Sequence, residues 1–221
     1  MNLHTFFPER GERIRDRFGL VLVLLVTSFI AQGFDNQPVL RALAAVLQLA
    51  AFTVIVLATG MTRDYRVLST LTVASIAGFV LVAVFGSTTV AAGVGALVSA
   101  FVLLVMIVAV LQRVLHHRQV SAQTLFGAVC VYVLLGSLFG AVYAVLDSFG
   151  NAPVFGESVG RSVYSYFSFV TMTTVGYGDY TAKTDLARRI AVMEAVIGQV
   201  FIATTLARLV ALYKSAPPAE P

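Results

Sequence analysis

Apolar stretches about as long as a bilayer is thick recur along this chain, separated by short polar connections. A helix needs ~20 mostly apolar residues to cross the ~30 Å of hydrocarbon. The runs 18–34, 38–61, 67–85, 90–112, 124–146 and 187–213 match or approach that length. They predict an all-α membrane protein with six transmembrane helices. The first run, 17 residues from Phe18 to Phe34, has the size of a signal-peptide core. Its flank, however, mixes Glu9, Glu12 and Asp16 with four arginines and no small-x-small cleavage site follows, so a retained helix is expected. Gly86-Ser87-Thr88-Thr89 breaks the third run from the fourth, and Gly93-Val94-Gly95 reads as a poor helix start, so a tight turn is expected there.

One further apolar segment is too short to cross. From Arg161 to Thr173 a helix would reach only about 20 Å at 1.5 Å per residue, so it is expected to enter the membrane and return. Thr174-Val175-Gly176-Tyr177-Gly178-Asp179 follows it. Non-helical backbone at membrane depth is tolerable only where protein buries it or where it lines a wet path. Glycines at alternating positions reach φ values closed to other residues, which allows successive carbonyls to turn to one side. Repeated around a symmetry axis, such a column of oxygens replaces the water shell of a bare cation, with the Thr174 hydroxyl as a further ligand at its inner end.

Composition narrows the alternatives. Of 221 residues, 58% are hydrophobic and 12% charged, too little polar surface to cover a water-facing globule. The 15 Lys and Arg that give a net charge of +4 are scattered between the apolar runs, which excludes a nucleic-acid patch. They report topology instead. With both termini in the cytoplasm, Arg10, Arg13, Arg15, Arg17, Arg63, Arg66, Arg113, Arg118, Arg208 and Lys214 fall inside, against Arg41, Arg161, Lys183, Arg188 and Arg189 outside. His116-His117 reads as a solvated loop pair, and the lone Cys130 as a small packed hydrophobe. The eight residues after Tyr213 are too short and proline-rich to form a domain. No phosphate loop, activated nucleophile or metal-ligand cluster occurs, so no enzymatic activity and no cofactor are expected.

Thr174-Val175-Gly176-Tyr177-Gly178 is identical to the selectivity filter of potassium channels, and residues 122–213 resemble their pore domain. The resemblance implies an N-terminal four-helix module over 1–119 and a pore domain over 120–221: outer helix 124–146, re-entrant pore helix 161–173, filter 174–178 and inner helix 187–213. It implies K+ coordination by Thr174, Val175, Gly176, Tyr177 and Gly178, and, with one filter per chain, a homotetramer in the lipid bilayer. Asp179 would stand at the outer mouth, with Asp147, Glu157 and Asp185 nearby. In the family the tyrosine side chain turns from the ion to brace the filter, which is the role implied for Tyr177. Tyr166 and Phe167 fall where many members carry two tryptophans, so the aromatic cuff around the filter is altered here. Gly198 lies 22 residues after Gly176, the place of the gating-hinge glycine, with close helix packing as the alternative. Gln199, Ile202 and Leu206 would line the inner cavity, with Gln199 touching permeating ions.

Glu194 is the one carboxylate in the sixth run and needs a protein or water partner. At 100° per residue it lies more than a quarter turn from Gln199. It is expected to face the pore helix as a filter support bonded to hydroxyls such as Thr171 or Tyr166, with a direct ion-attracting ring as the alternative. Six spans with the filter between the last two resemble voltage-gated cation channels, yet Val90 to Gln112 carries no charge, while a sensor needs several at about 2.3 kcal/mol each per 100 mV. The expected function is passive, potassium-selective conduction without voltage gating, in a bacterial inner membrane. Two other outcomes stay open: a weakly selective cation channel, and a non-conducting subunit or sensor.

Overall fold

The computed structural model describes residues 18–33, 38–59, 89–116 and 122–214. Every regular element among them is an α-helix: α1 (Phe18–Gln32), α2 (Pro38–Thr59), α3 (Thr89–His116), α4 (Ala122–Phe149), α5 (Arg161–Met172) and α6 (Asp185–Lys214). Three are long and apolar enough to cross a membrane, over Val90–Leu115, Thr124–Phe149 and Asp185–Arg208. The run at 18–34 forms a helix of 15 residues, about 22 Å long and shorter than the hydrocarbon layer. The run at 38–61 forms α2, opened by Pro38 at a position where a missing N–H costs no hydrogen bond. The expected third span, 67–85, lies outside the described residues, as do Arg63 to Arg66, His117 and the two chain ends.

Lipid is as apolar as leucine, so helices in a bilayer associate through close packing and hydrogen bonds. α1 buries Phe18, Val21, Leu25 and Ser28, a stripe at three- and four-residue spacing. These side chains join a core with Ala51, Phe52 and Ile55 of α2, Val102, Met106 and Val110 of α3, and Cys130, Val131 and Leu134 of α4. Ser28 donates to the Ala44 carbonyl of α2 at 3.0 Å. Cys130 is fully buried in this core, its Sγ 3.5 Å from the Phe18 carbonyl, as a packed hydrophobe should be.

The sequence reading of Gly93-Val94-Gly95 as a poor helix start is corrected: α3 begins at Thr89 and runs through both glycines. The reason is packing between α3 and α4, which lie antiparallel. A Cβ on Gly93 would come within 2.6 Å of the Phe149 ring, and one on Gly127 within 2.6 Å of Val114 Cγ2. Glycine at each end of the pair therefore sets how closely the two helices approach. A second core forms beyond the end of α4, where Tyr143, Val154, Phe155, Tyr164, Phe167 and Ala187 tie the 150–160 connection to α5 and the start of α6. Asp147 accepts the Val154 N–H at 2.7 Å and holds that connection against α4.

Candidate ion-conduction site

α5 is held in a groove that α4 cuts for it. Gly136 and Gly140 are four residues apart on one face of α4, the small-xxx-small spacing that lets helix backbones approach in a membrane. A Cβ on Gly136 would meet the Phe169 ring at 2.7 Å, and one on Gly140 would meet Ser165 Cα at 3.0 Å. From the other side, Gly198 of α6 seats the last residue of α5: a Cβ there would lie 2.5 Å from Met172 Cγ and 3.1 Å from the Met172 carbonyl oxygen. Close packing is therefore one reason for a glycine at 198. α1 also reaches α5, with Phe29 edge-on to Phe169 at 4.7 Å.

Hydrogen bonds lock this arrangement. Glu194 of α6 is fully buried and accepts from the Tyr143 hydroxyl of α4 at 2.7 Å and from the Ser168 hydroxyl of α5. Ser168 Oγ also lies 2.7 Å from the Gly136 carbonyl. One carboxyl thus joins all three helices at a point behind the 174–178 segment. Its partners are Tyr143 and Ser168, not the expected Thr171 or Tyr166. The Met172 carbonyl, left without an intrahelical donor at the helix end, accepts from Tyr132 of α4 and Gln199 of α6, each at 3.3 Å. Gln199 therefore has a role at the end of α5 that its spacing alone did not predict.

The exit from α5 shapes the backbone that follows. Thr174 N–H bonds the Thr171 carbonyl and Val175 N–H the Val170 carbonyl, both at 3.0 Å. That is the pairing of a Schellman cap, which places its next residue in the left-handed region and usually uses glycine there. Here the residue is Thr174, at φ 60°. A β-branched side chain in that region is uncommon and costs on the order of 1–2 kcal/mol. Gly176 at φ 56° and Gly178 at φ 81° continue the pattern, so every second residue from 174 to 178 is left-handed. A chain that alternates hand in this way can present consecutive carbonyls along one edge. The two glycines were legible in advance; the threonine was not.

Side chains on this segment point into open space on a single chain: Val175 is 52% exposed and Tyr177 71%. The Tyr177 ring stacks on Tyr166 of α5 with centroids 6.5 Å apart and planes 3° from parallel. The Tyr166 hydroxyl donates to Asp179 Oδ2 at 2.7 Å, and Tyr180 packs edge-on to the same ring. That bond to the Asp179 carboxylate holds the phenol protonated and pushes its pKa up to about 12. Thr173 turns its hydroxyl back to the Phe169 carbonyl at 2.6 Å, an ordinary helix-end bond.

Residues 127–215, from α4 through α6, match the family model described as ion channel. Over this segment the chain is similar to ion-channel pore domains. With its long apolar helices, the chain is accordingly an integral membrane protein that carries an ion-channel segment. No curated protein and no solved structure matches the chain significantly.

Within the pore domain, the structure brings Thr174 to Asp179, Tyr166, Thr171, Glu194, Gly198 and Gln199 around the end of one short helix. Ile202 and Leu206 lie further along α6 and are exposed on the single chain. Three contributors escaped the sequence reading: Tyr132, Tyr143 and Ser168. The Gly136-Ser137-Leu138-Phe139-Gly140 spacing marks the face of α4 that carries the two tyrosines and against which Ser168 of α5 packs, and was the available signal.

Proposed function

We propose that four copies of the chain enclose a potassium-selective pore through which K+ moves passively. The carbonyls of Thr174, Val175, Gly176, Tyr177 and Gly178, with the Thr174 hydroxyl, stand in for the ion's hydration shell. Asp179 lies at the outer mouth; Gln199, Ile202 and Leu206 line the inner cavity; Gly198 is the point about which α6 bends. The observation that carries this reading is the alternation of left-handed backbone at 174, 176 and 178 immediately after a capped helix. The exposure of Val175 and Tyr177 on one chain adds support, since large apolar groups at such a site call for neighbouring copies. Voltage gating by mobile arginines forms no part of the proposal, because Val90 to Gln112 offers no charge for the field to move. A bacterial inner membrane with both termini cytoplasmic fits the distribution of Lys and Arg.

The test is flux through liposomes containing only this protein, potassium against sodium, with and without Gly176→Ala. At φ 56° the alanine is strained although nothing crowds its Cβ within the chain, so the variant should fold and lose flux. Comparable permeation of sodium and potassium would leave a weakly selective cation channel. Absence of any cation flux from the purified chain would leave a subunit that conducts only with partners.

A further inference from the structure

The connection between α4 and α5 dips into the protein for two residues only. Asn151, Ala152 and Pro153 before the dip and Gly156, Glu157 and Ser158 after it are exposed, whereas Val154 is 1% and Phe155 6% exposed. Backbone groups drawn out of water need partners, and these have them. Val154 N–H donates to Asp147 of α4 at 2.7 Å, and the Val154 carbonyl accepts the Lys183 N–H at 2.8 Å from the segment beyond the filter. The Tyr164 hydroxyl of α5 bonds the same Asp147 carboxyl. Gly156, at φ 85°, then turns the chain back out with its N–H on the Pro153 carbonyl.

This anchoring delivers one ring. Phe155 stacks on Tyr164 with centroids 5.8 Å apart, and meets Phe167 and Tyr180 edge-on at 5.0 and 5.7 Å. Two of these neighbours lead to different parts of the site. Phe167 is edge-on to Tyr143, the donor to Glu194 behind α5. Tyr180 is edge-on to Tyr166, which holds Asp179 and stacks on Tyr177. Among the described residues, Phe155 alone makes ring contacts with both Phe167 and Tyr180.

We infer that Phe155 is a positioning residue for conduction, the ring through which the anchor behind α5 fixes the rim of the 174–178 segment. The outer connection is thereby part of the support of that segment. A ring is required and not merely its volume, because aromatic pairs set the angle between their planes while an aliphatic side chain fills space without doing so. The inference rests on the proposed pore. Glu194, Tyr132 and Gln199 hold α5 from other directions, so loss of the ring frees the rim while α5 stays in place.

The test is single-channel recording from bilayers containing the purified full-length chain, native and substituted, alongside thermal unfolding in detergent. Phe155→Leu should hasten entry into a non-conducting filter state about tenfold, the order that a few lost ring pairs amount to, with unitary conductance unchanged. Phe52→Leu removes a comparably buried ring from α2; it should lower the unfolding midpoint as much and leave the filter kinetics native. Tyr180→Leu should reproduce the quickening, and the double variant Phe155→Leu with Tyr180→Leu should be no faster than either alone, as expected of residues acting in series. Should Phe155→Leu not fold, Phe155→Met, which keeps a sulfur–aromatic contact, should quicken entry about threefold. Native kinetics in Phe155→Leu or Phe155→Met, equal quickening in Phe52→Leu, or additive effects in the double variant would overturn the assignment. A native chain that passes no potassium would instead defeat the pore reading itself, before any variant is compared.

Discussion

The α1–α3 part of the chain and the α4–α6 part are built from similar residues but held together differently. In the first, Ser28 reaches across to α2, but Thr27, Thr53 and Ser99 turn their hydroxyls to carbonyls one turn back in their own helices. Such bonds stabilise no neighbour. In the second, Glu194, Ser168, Tyr143, Tyr132 and Gln199 direct theirs across helix boundaries, and all of these bonds converge on α5 or the residues holding it. Packing of apolar side chains tolerates rearrangement as long as volume is kept. A hydrogen-bonded buried carboxyl permits one arrangement, because a lost partner leaves a polar group unsatisfied in a low-dielectric interior. A site that must hold backbone oxygens in place requires the second kind of structure; a peripheral module does not.

The strongest test of that contrast removes the shared carboxyl. Glu194→Ala leaves the Tyr143 hydroxyl buried without its acceptor and Ser168 with only the Gly136 carbonyl, and should destabilise the segment by about 1–3 kcal/mol. Thermal unfolding in detergent and the fraction of the proposed tetramer on gel filtration would measure it. Glu194→Gln keeps an acceptor oxygen and should cost about 1 kcal/mol. If the carboxyl only supports the filter, single-channel conductance in Glu194→Gln stays unchanged while open-state lifetime shortens. A proportional fall in conductance would instead revive a direct ion-attracting ring.

Glycine substitutions sharpen the comparison, because the crowding is alike in the two parts. Gly93→Ala meets Phe149, Gly136→Ala meets Phe169 and Gly198→Ala meets Met172, all at 2.5–2.7 Å. Each should lower stability by about 1–3 kcal/mol, the usual cost of overpacking. Only Gly136→Ala and Gly198→Ala move α5, so only those two should alter potassium permeation. If Gly93→Ala changes ion flux as much as they do, the two parts are not mechanically distinct.

Thr174 separates backbone from side chain. Thr174→Gly removes the penalty of a β-branched residue at φ 60° and should stabilise the isolated turn by about 1 kcal/mol. It also removes the proposed hydroxyl ligand, so potassium flux should fall while thermal stability holds or rises. Thr174→Ser keeps the hydroxyl and should conduct. Parallel losses of flux and stability in Thr174→Gly would mean the hydroxyl supports the fold and not the ion.

How much of this could be read in the sequence follows from which forces are local. The ends of α5 and α6 were predicted at 161–173 and 187–213 and lie at Arg161–Met172 and Asp185–Lys214, because hydropathy and glycine position report them directly. α4 extends to Phe149 beyond the predicted 146, where the chain is no longer apolar but Asp147 still anchors the next connection. Glu194 was expected to face α5 and bonds Ser168 there; Tyr143 of α4 was missed, because one-helix angles say only which way a side chain points. The left-handed Thr174 was invisible for a different reason: residue preference favours glycine there, and the hydrogen bonds of the helix end override it. Gly93 shows the same tension, a helix-weakening residue retained where two helices must approach.

The smallest expected effect is at the rim of the site, where Tyr166 bonds Asp179 in an exposed setting. Tyr166→Phe keeps the ring stacked on Tyr177 and removes one hydroxyl, so thermal stability should barely change. The mouth loses the bond that fixes Asp179, and entry into a non-conducting filter state should quicken a few-fold in single-channel records. Because the phenol's pKa is raised, its neutral form is favoured by the folded structure. The bond's contribution is then complete below the ordinary tyrosine value near ~10, and it is lost as the pH rises through about 12. The native chain should therefore show filter kinetics that are flat with pH up to about 10 as far as this group is concerned, and Tyr166→Phe should show the fast kinetics throughout. A native protein that already behaves like Tyr166→Phe at neutral pH would mean the altered aromatic cuff contributes nothing, and that the α4–α6 hydrogen bonds behind α5 hold the site without help from its rim.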